Sequence, residues 1–135
     1  MGIKFDSELM KLMIYFESLT GSKVKDCISD DKIIFIIEEG SMGKAIGKNG
    51  ANIKKIEARL RKRIKLVEFV NDPARFVKNF LGPIDVSCSS EDGAVVVQCR
   101  DSNSRAMVIG RERKNLKNLL EITKRYFDVK DIKVV

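Results

Sequence analysis

Residues 44–56 read KAIGKNGANIKKI, and residues 107–119 read MVIGRERKNLKNL. Ile46-Gly47 falls on Ile109-Gly110, Asn52 on Asn115 and Lys54 on Lys117, all at an offset of 63. The strand-like segments upstream align at an offset of 61, Asp31 on Asp92, which places a two-residue insertion between strand and loop. A unit that recurs in register sets the organisation of the whole chain.

Outward from the first copy, residues 64–70 alternate as a strand, and residues 51–63 form a helix with Ile53, Ile56 and Leu60 on its apolar face. Asn49-Gly50 is a tight turn, and a short helix opens at or just after Ser41 and stops at Gly47. Glu39-Gly40-Ser41 separates it from a continuous β-branched strand over 32–37. Ser29-Asp30-Asp31 is turn chemistry and residues 24–28 a first strand. Phe5, Leu9, Leu12, Met13, Phe16 and Leu19 recur at helical spacing in a helix that ends at Gly21.

In the second copy, Asp72-Pro73 supplies an N-cap and a proline at the first helical position. Gly82-Pro83 stops that helix near Phe80. Strands over 84–88 and 94–99 flank the turn Glu91-Asp92-Gly93, and Ser102 or Ser104 caps a short helix that ends at Gly110. A longer helix from Lys114 carries Leu116, Leu119, Leu120, Tyr126 and Phe127, and residues 132–135 are the last strand. Both halves read helix-strand-strand-helix-helix-strand, an α+β class with domains 1–71 and 72–135. The connection Asn71-Asp72 is too short for a tether, so the modules are expected to pack as one rigid body.

Composition narrows the chemistry. The 135 residues are 44% hydrophobic, so a packed core is expected. The formal charge of +7 favours a polyanionic partner. Histidine is absent, which removes the commonest general base and metal ligand. Cys27, Cys88 and Cys99 form no CxxC pair and read as buried reduced thiols, with no metal site and no cofactor. The start of the chain has no apolar signal segment, and Asp6 stands where an N-myristoylation motif at Gly2 wants Ser or Thr. The longest apolar run, 33–37, is too short to span a bilayer, so a cytoplasmic location is expected.

The basic surplus is local. Residues 41–65 hold nine Lys or Arg and one acid, Glu57, a balance of 9 − 1 = +8 against +7 for the chain. Within them, Gly47-Lys48-Asn49-Gly50 joins two helices. Its glycines let the backbone approach another backbone, and the following helix offers amides and a positive dipole end. Such a turn suits a phosphate. A lone GxxG is most often a plain turn; the preceding Ile46, the basic helix after it and the repeat give this one weight.

Ile46 to Ile53, IGKNGANI, matches the IGxxGxxI signature in full, and the unit resembles the KH domain. The element order is similar to the prokaryotic type II form. The tandem pair resembles the KH region of the NusA family of transcription factors, its short archaeal form most of all. The bacterial factors' polymerase-binding and S1 domains have no counterpart in this sequence.

The resemblance implies single-stranded RNA binding. Gly47, Lys48, Asn49 and Gly50 would grip the backbone, Ile46 and Ile53 would floor a base-binding groove, and Lys54, Lys55 and Arg59 would steer phosphates. Gly110-Arg111-Glu112-Arg113 lacks the final glycine. Gly110, Arg111, Arg113 and Lys114 are therefore expected to give weakened binding by charge and hydrogen bonds.

The implied partners are nascent RNA and RNA polymerase or its associated factors, during elongation, termination or antitermination. A KH protein of ribosome assembly, rRNA processing or translation is the rival. An enzyme is not expected: Gly47-Lys48 is followed by Asn49 where a P-loop needs Ser or Thr, and no acidic pair is placed by a motif. A membrane-surface role for helix 51–63 is disfavoured by its narrow apolar face.

Overall fold

The computed structural model describes residues 7–29 and 31–135. Gly2, Phe5 and Asp6 of the amino-terminal pattern and Asp30 of the first turn lie outside the described residues. The chain forms two compact units, the first extending to Phe69 and the second spanning Val70–Val135. The first holds α1 (Ser7–Thr20), β1 (Val24–Ser29), β2 (Ile33–Ile37), α2 (Met42–Ile46), α3 (Ala51–Leu60) and β3 (Ile64–Glu68). The second holds α4 (Pro73–Leu81), β4 (Val86–Glu91), β5 (Ala94–Cys99), α5 (Ser102–Ile109), α6 (Lys114–Tyr126) and β6 (Asp131–Val134). The α+β order expected from the repeat is present in both.

Each unit has its own three-stranded sheet, in the order β1-β2-β3 and β4-β5-β6. The first two strands of each pair antiparallel; the third joins the middle strand in parallel, starting at Ile33↔Ile64 and Ala94↔Asp131. A hairpin cannot deliver a parallel partner, so the chain must cross over. Residues 38–63 and 100–130 make that crossing, each with two helices and a tight loop.

Helices pack on the sheet through the apolar positions their spacing sets. In the first unit, Leu9 and Phe16 of α1, Ala45 of α2 and Ile56 of α3 meet Cys27, Ile33, Phe35 and Ile37. The Phe16 and Phe35 rings lie 4.3 Å apart, and both side chains are fully buried. In the second, Val77, Val108, Leu116 and Leu119 meet Val86, Val95, Val97 and Ile132. Facing residues fix the repeat: Ile33, Phe35 and Ile37 correspond to Val95, Val97 and Cys99, an offset of 62 (95 − 33), whereas their partners Cys27 and Cys88 in the first strands keep the offset of 61 (88 − 27). The change comes at the hairpin tip, where four residues separate Ser90 from Val95 but three separate Ser29 from Ile33; the bulge in β1 between Val24 and Asp26 offsets it further back in the strand. A shift of one residue would turn every side chain to the other face.

Several boundaries move for local reasons. α3 ends at Leu60, short of 63, because Arg61 turns left-handed at φ 55. Glu57 then accepts a hydrogen bond from the Ile64 amide at 2.9 Å, tying the helix to β3. β4 starts at Val86 because the Ile84 amide is still bonded to Leu81 O in a turn. Asp92 and Gly93, at φ 50 and 80, close the second hairpin alone, so Glu91 stays in the strand. Asp72 caps α4 as its sequence suggests, with the Ala74 amide at 3.2 Å. For α5 the cap is Asp101, not a serine, and its carboxylate accepts from the Ser104 amide at 2.8 Å. Cys27 is buried as expected, but Cys88 and Cys99 are only half-buried. Among the described residues no helix is long and apolar enough to cross a membrane.

Removing the Phe16 ring leaves a cavity that the sheet cannot close. We expect Phe16→Ala to cost about 3–5 kcal/mol in urea unfolding. Ile14→Ala, at a side chain 64% exposed on the same helix, should stay within about 0.5 kcal/mol.

Candidate nucleic-acid interface

The two crossing loops are built alike. Gly47 has φ 75, ψ 172 and Gly110 φ 75, ψ 173, a region that only glycine occupies readily. Asn49 (56, 30) and Glu112 (54, 31) are both left-handed. Gly50 (72, 18) and Arg113 (62, 20) are left-handed too. The first loop closes with Gly50 N–H donating to Gly47 O at 3.2 Å, and the second with Arg113 N–H donating to Gly110 O at 3.2 Å. A left-handed residue other than glycine costs roughly 1–2 kcal/mol. The second loop carries two and keeps its shape.

The two glycines of the first loop are not equivalent. A Cβ on Gly47 would lie 2.7 Å from Asn52 Nδ2, whereas a Cβ on Gly50 would meet nothing within 4 Å. The fourth position therefore has room for a side chain, and Arg113 occupies it in the second copy. The missing glycine does not imply a different backbone.

Both loops open onto the start of a longer helix. α3 and α6 begin without a side-chain cap, in contrast to α4 and α5 with Asp72 and Asp101. Their first-turn amides and positive dipole ends are thus unopposed by a capping carboxylate beside the loop. Lys48 and Asn49 are exposed, Ile46 and Ile53 half-buried, and Lys54 and Lys55 exposed along α3. Around the second loop Arg111, Arg113 and Lys114 are exposed, and Gly110 is half-buried. The residues expected from sequence therefore gather in two groups, one per unit. Leu116, which takes the place of Ile53, is buried in its core, so the second unit offers less apolar surface there.

The Arg59 guanidinium lies over the Tyr15 ring, 5.6 Å from the centroid, beside the cleft between α1 and α3. Lys65 is half-buried, and burial pushes its ammonium down to about 8, with repulsion from Lys32 adding to the effect. An anion nearby would favour the charged form. Burial raises Cys88 to about 11 against the pull of Lys78, and it raises Cys99 as well, so both thiols stay protonated at neutral pH. Hydrogen bonding from Ser104, its backbone amide first, holds the Asp101 carboxyl below its ordinary value.

One recurring pair escaped a functional reading in the sequence. Asn52 Nδ2 donates to Lys44 O at 2.9 Å, and Asn115 Nδ2 donates to Met107 O at 3.0 Å. Its signal was the recurrence of asparagine at the offset of 63.

Residues 11–71 match the family model described as KH domain. A protein of Methanococcus vannielii named probable transcription termination protein NusA is 38% identical over 141 residues, covering 100% of this chain and 81% of the relative. A protein of the same name from Halococcus morrhuae is 30% identical over 138 residues, covering 99% of each. The crystal structure of APE1850 is similar with a TM-score of 0.72 at 28% sequence identity, covering 97% of this chain and 100% of that one.

The loop glycines should respond unequally to substitution. Gly50→Ala is expected to cost about 1 kcal/mol, the backbone term alone. Gly47→Ala should cost about 2–3 kcal/mol, because it adds a forbidden backbone region and a clash with Asn52. Chemical denaturation of the two variants compares them directly.

Proposed function

The chain belongs to the archaeal NusA-like family of KH-domain proteins, and from that premise we propose that it grips the backbone of single-stranded RNA at the 47–50 loop. The observation that carries this reading is the loop itself: a glycine-bounded turn, an uncapped helix start behind it, and a basic segment of +8 around it. A phosphate set against this turn meets backbone amides, a positive dipole end and the Lys48 ammonium together. Ile46 and Ile53 give unpaired bases an apolar floor, and Lys54 and Lys55 extend the positive field along α3.

Each unit is one KH module, 1–71 and 72–135. In the second, Gly110, Arg111, Arg113 and Lys114 meet phosphate through guanidinium and ammonium groups, while Glu112 opposes it. Its affinity is lower than that of the first. The chain acts as a binding module in transcription and not as an enzyme. Its RNA is the nascent transcript and its protein partners are RNA polymerase or factors bound to it, in the cytoplasm. The name shared by its relatives supports the transcriptional role.

RNA binding should be steeply salt-dependent. With about four phosphates neutralised, log K is expected to fall with log salt at a slope of about −3, from −0.7 per phosphate. Titrations of one RNA as a single strand and as a duplex, at several salt concentrations, test this; equal affinity for both forms, or a flat response, counts against the proposal.

The modules should also differ. Lys48→Asp with Asn49→Asp sets two negative charges against the RNA backbone and leaves the turn glycines intact. It is expected to weaken binding more than Arg111→Asp with Arg113→Asp. Affinities of both variants, with circular dichroism to confirm folding, decide the ranking, and a larger loss from the second pair reverses it.

A further inference from the structure

Each crossing loop begins with a glycine that is crowded by the same residue type. A Cβ on Gly47 would lie 2.7 Å from Asn52 Nδ2 and 2.8 Å from Asn52 Cγ. A Cβ on Gly110 would lie 2.6 Å from Asn115 Cγ and 2.7 Å from Asn115 Nδ2. Each asparagine amide also has a fixed partner, the carbonyl of Lys44 at 2.9 Å or of Met107 at 3.0 Å. That carbonyl belongs to the helix entering the loop, and the asparagine to the first turn of the helix leaving it.

The bond therefore closes the loop across its base. It joins residues eight apart in sequence, and it satisfies a carbonyl that the end of a helix leaves without an intrahelical donor. In the first unit the entering helix, α2, has only five residues, too few to hold its own geometry. Between the two anchors, three of four loop residues have positive φ in each copy: Gly47, Asn49 and Gly50, then Gly110, Glu112 and Arg113. Backbone in such regions persists where its surroundings over-determine it. The loop sequences differ at three of four positions, whereas the glycine, the asparagine and the bond between helices are the same in both.

We propose that Asn52 and Asn115 are positioning residues, latches that hold the entering helix to the leaving one and keep each loop in the shape that grips RNA. The proposal rests on the RNA-binding reading of these loops. The side chain has to be asparagine on chemical grounds. Leucine matches its shape without a donor, aspartate puts a charged acceptor against a carbonyl oxygen, and glutamine overshoots by a methylene.

The test uses the full chain with Asn52→Leu and Asn52→Asp. The probe is an RNA of alternating U and G, about eight nucleotides long so that it exceeds the four a KH loop clamps. Anisotropy gives affinity, amide exchange reports on Gly47 and Gly50, and thermal melting controls for folding. Both variants should bind about tenfold more weakly at pH 7, the equivalent of one net hydrogen bond. Amide exchange in the loop should accelerate in both, with little change in melting.

On lowering the pH through about 4, where an aspartic acid takes up its proton, Asn52→Asp regains a donor. Its affinity relative to the parent at the same pH should then rise above that of Asn52→Leu, which reports every other titrating group. The latch is overturned if both variants bind like the parent with unchanged exchange, or if Asn52→Asp never rises above Asn52→Leu. If the parent itself binds no single-stranded RNA, the functional reading fails. Exchange then decides the latch alone: faster in both variants upholds it, unchanged overturns it.

Discussion

The parallel pairing of the last strand against the middle one is the constraint from which each unit is built. An antiparallel third strand would need only a short turn. A parallel one obliges the chain to leave the end of β2, cross over, and re-enter beside Ile33 at Ile64. Two helices make the crossing, and the short sheet leaves them little length, so the reversal between them must be abrupt. The left-handed loop at 47–50 is the result. The same pairing of β5 with β6 produces the same loop at 110–113, although the residues there are GRER and not GKNG.

Geometry and charge make separate contributions at the candidate interface. The turn and the uncapped helix behind it supply directed donors, whose placement does not depend on which side chains the loop bears. The lysines of residues 41–65 supply a field that acts over about 10 Å at moderate salt. In the first unit both are present with no acid in the loop. In the second, Glu112 subtracts from the field while the backbone is unchanged, so the two units separate by charge and by the apolar residue behind the loop, not by fold.

Much of this is legible in the sequence. The repeat of IG and of Asn at one offset divided the chain, Asp72-Pro73 marked a helix start, and Lys114 marked another. What escaped was non-local or lacked a sequence mark. The end of α3 carries no glycine: Arg61 takes the left-handed position, and the side chain of Glu57 reaches Ile64. The cap at Asp101 stands before two serines that are each plausible caps, and only its extended backbone singles it out. The stretch from Ser90 to Val95 is one residue longer than that from Ser29 to Ile33, which shifts the inner face of the middle strand by one residue, and an alignment of similar letters cannot see it. The bond from Asn52 to Lys44 O joins two helices through a side chain whose type alone suggests a turn or a cap.

The open space beside Gly50 bears on how such loops diverge after duplication. At Gly47 descent has almost no freedom, since both backbone and neighbour reject a side chain. At the fourth position the barrier is a modest backbone penalty, and any long residue that accepts it projects away from the protein. A duplicate can therefore exchange short-range contact through main-chain amides for a flexible arm several ångströms long, in one substitution and with the scaffold unaltered. Arg113 is such an arm, and the two loops of this chain differ in reach, from bare backbone at Gly50 to guanidinium at Arg113.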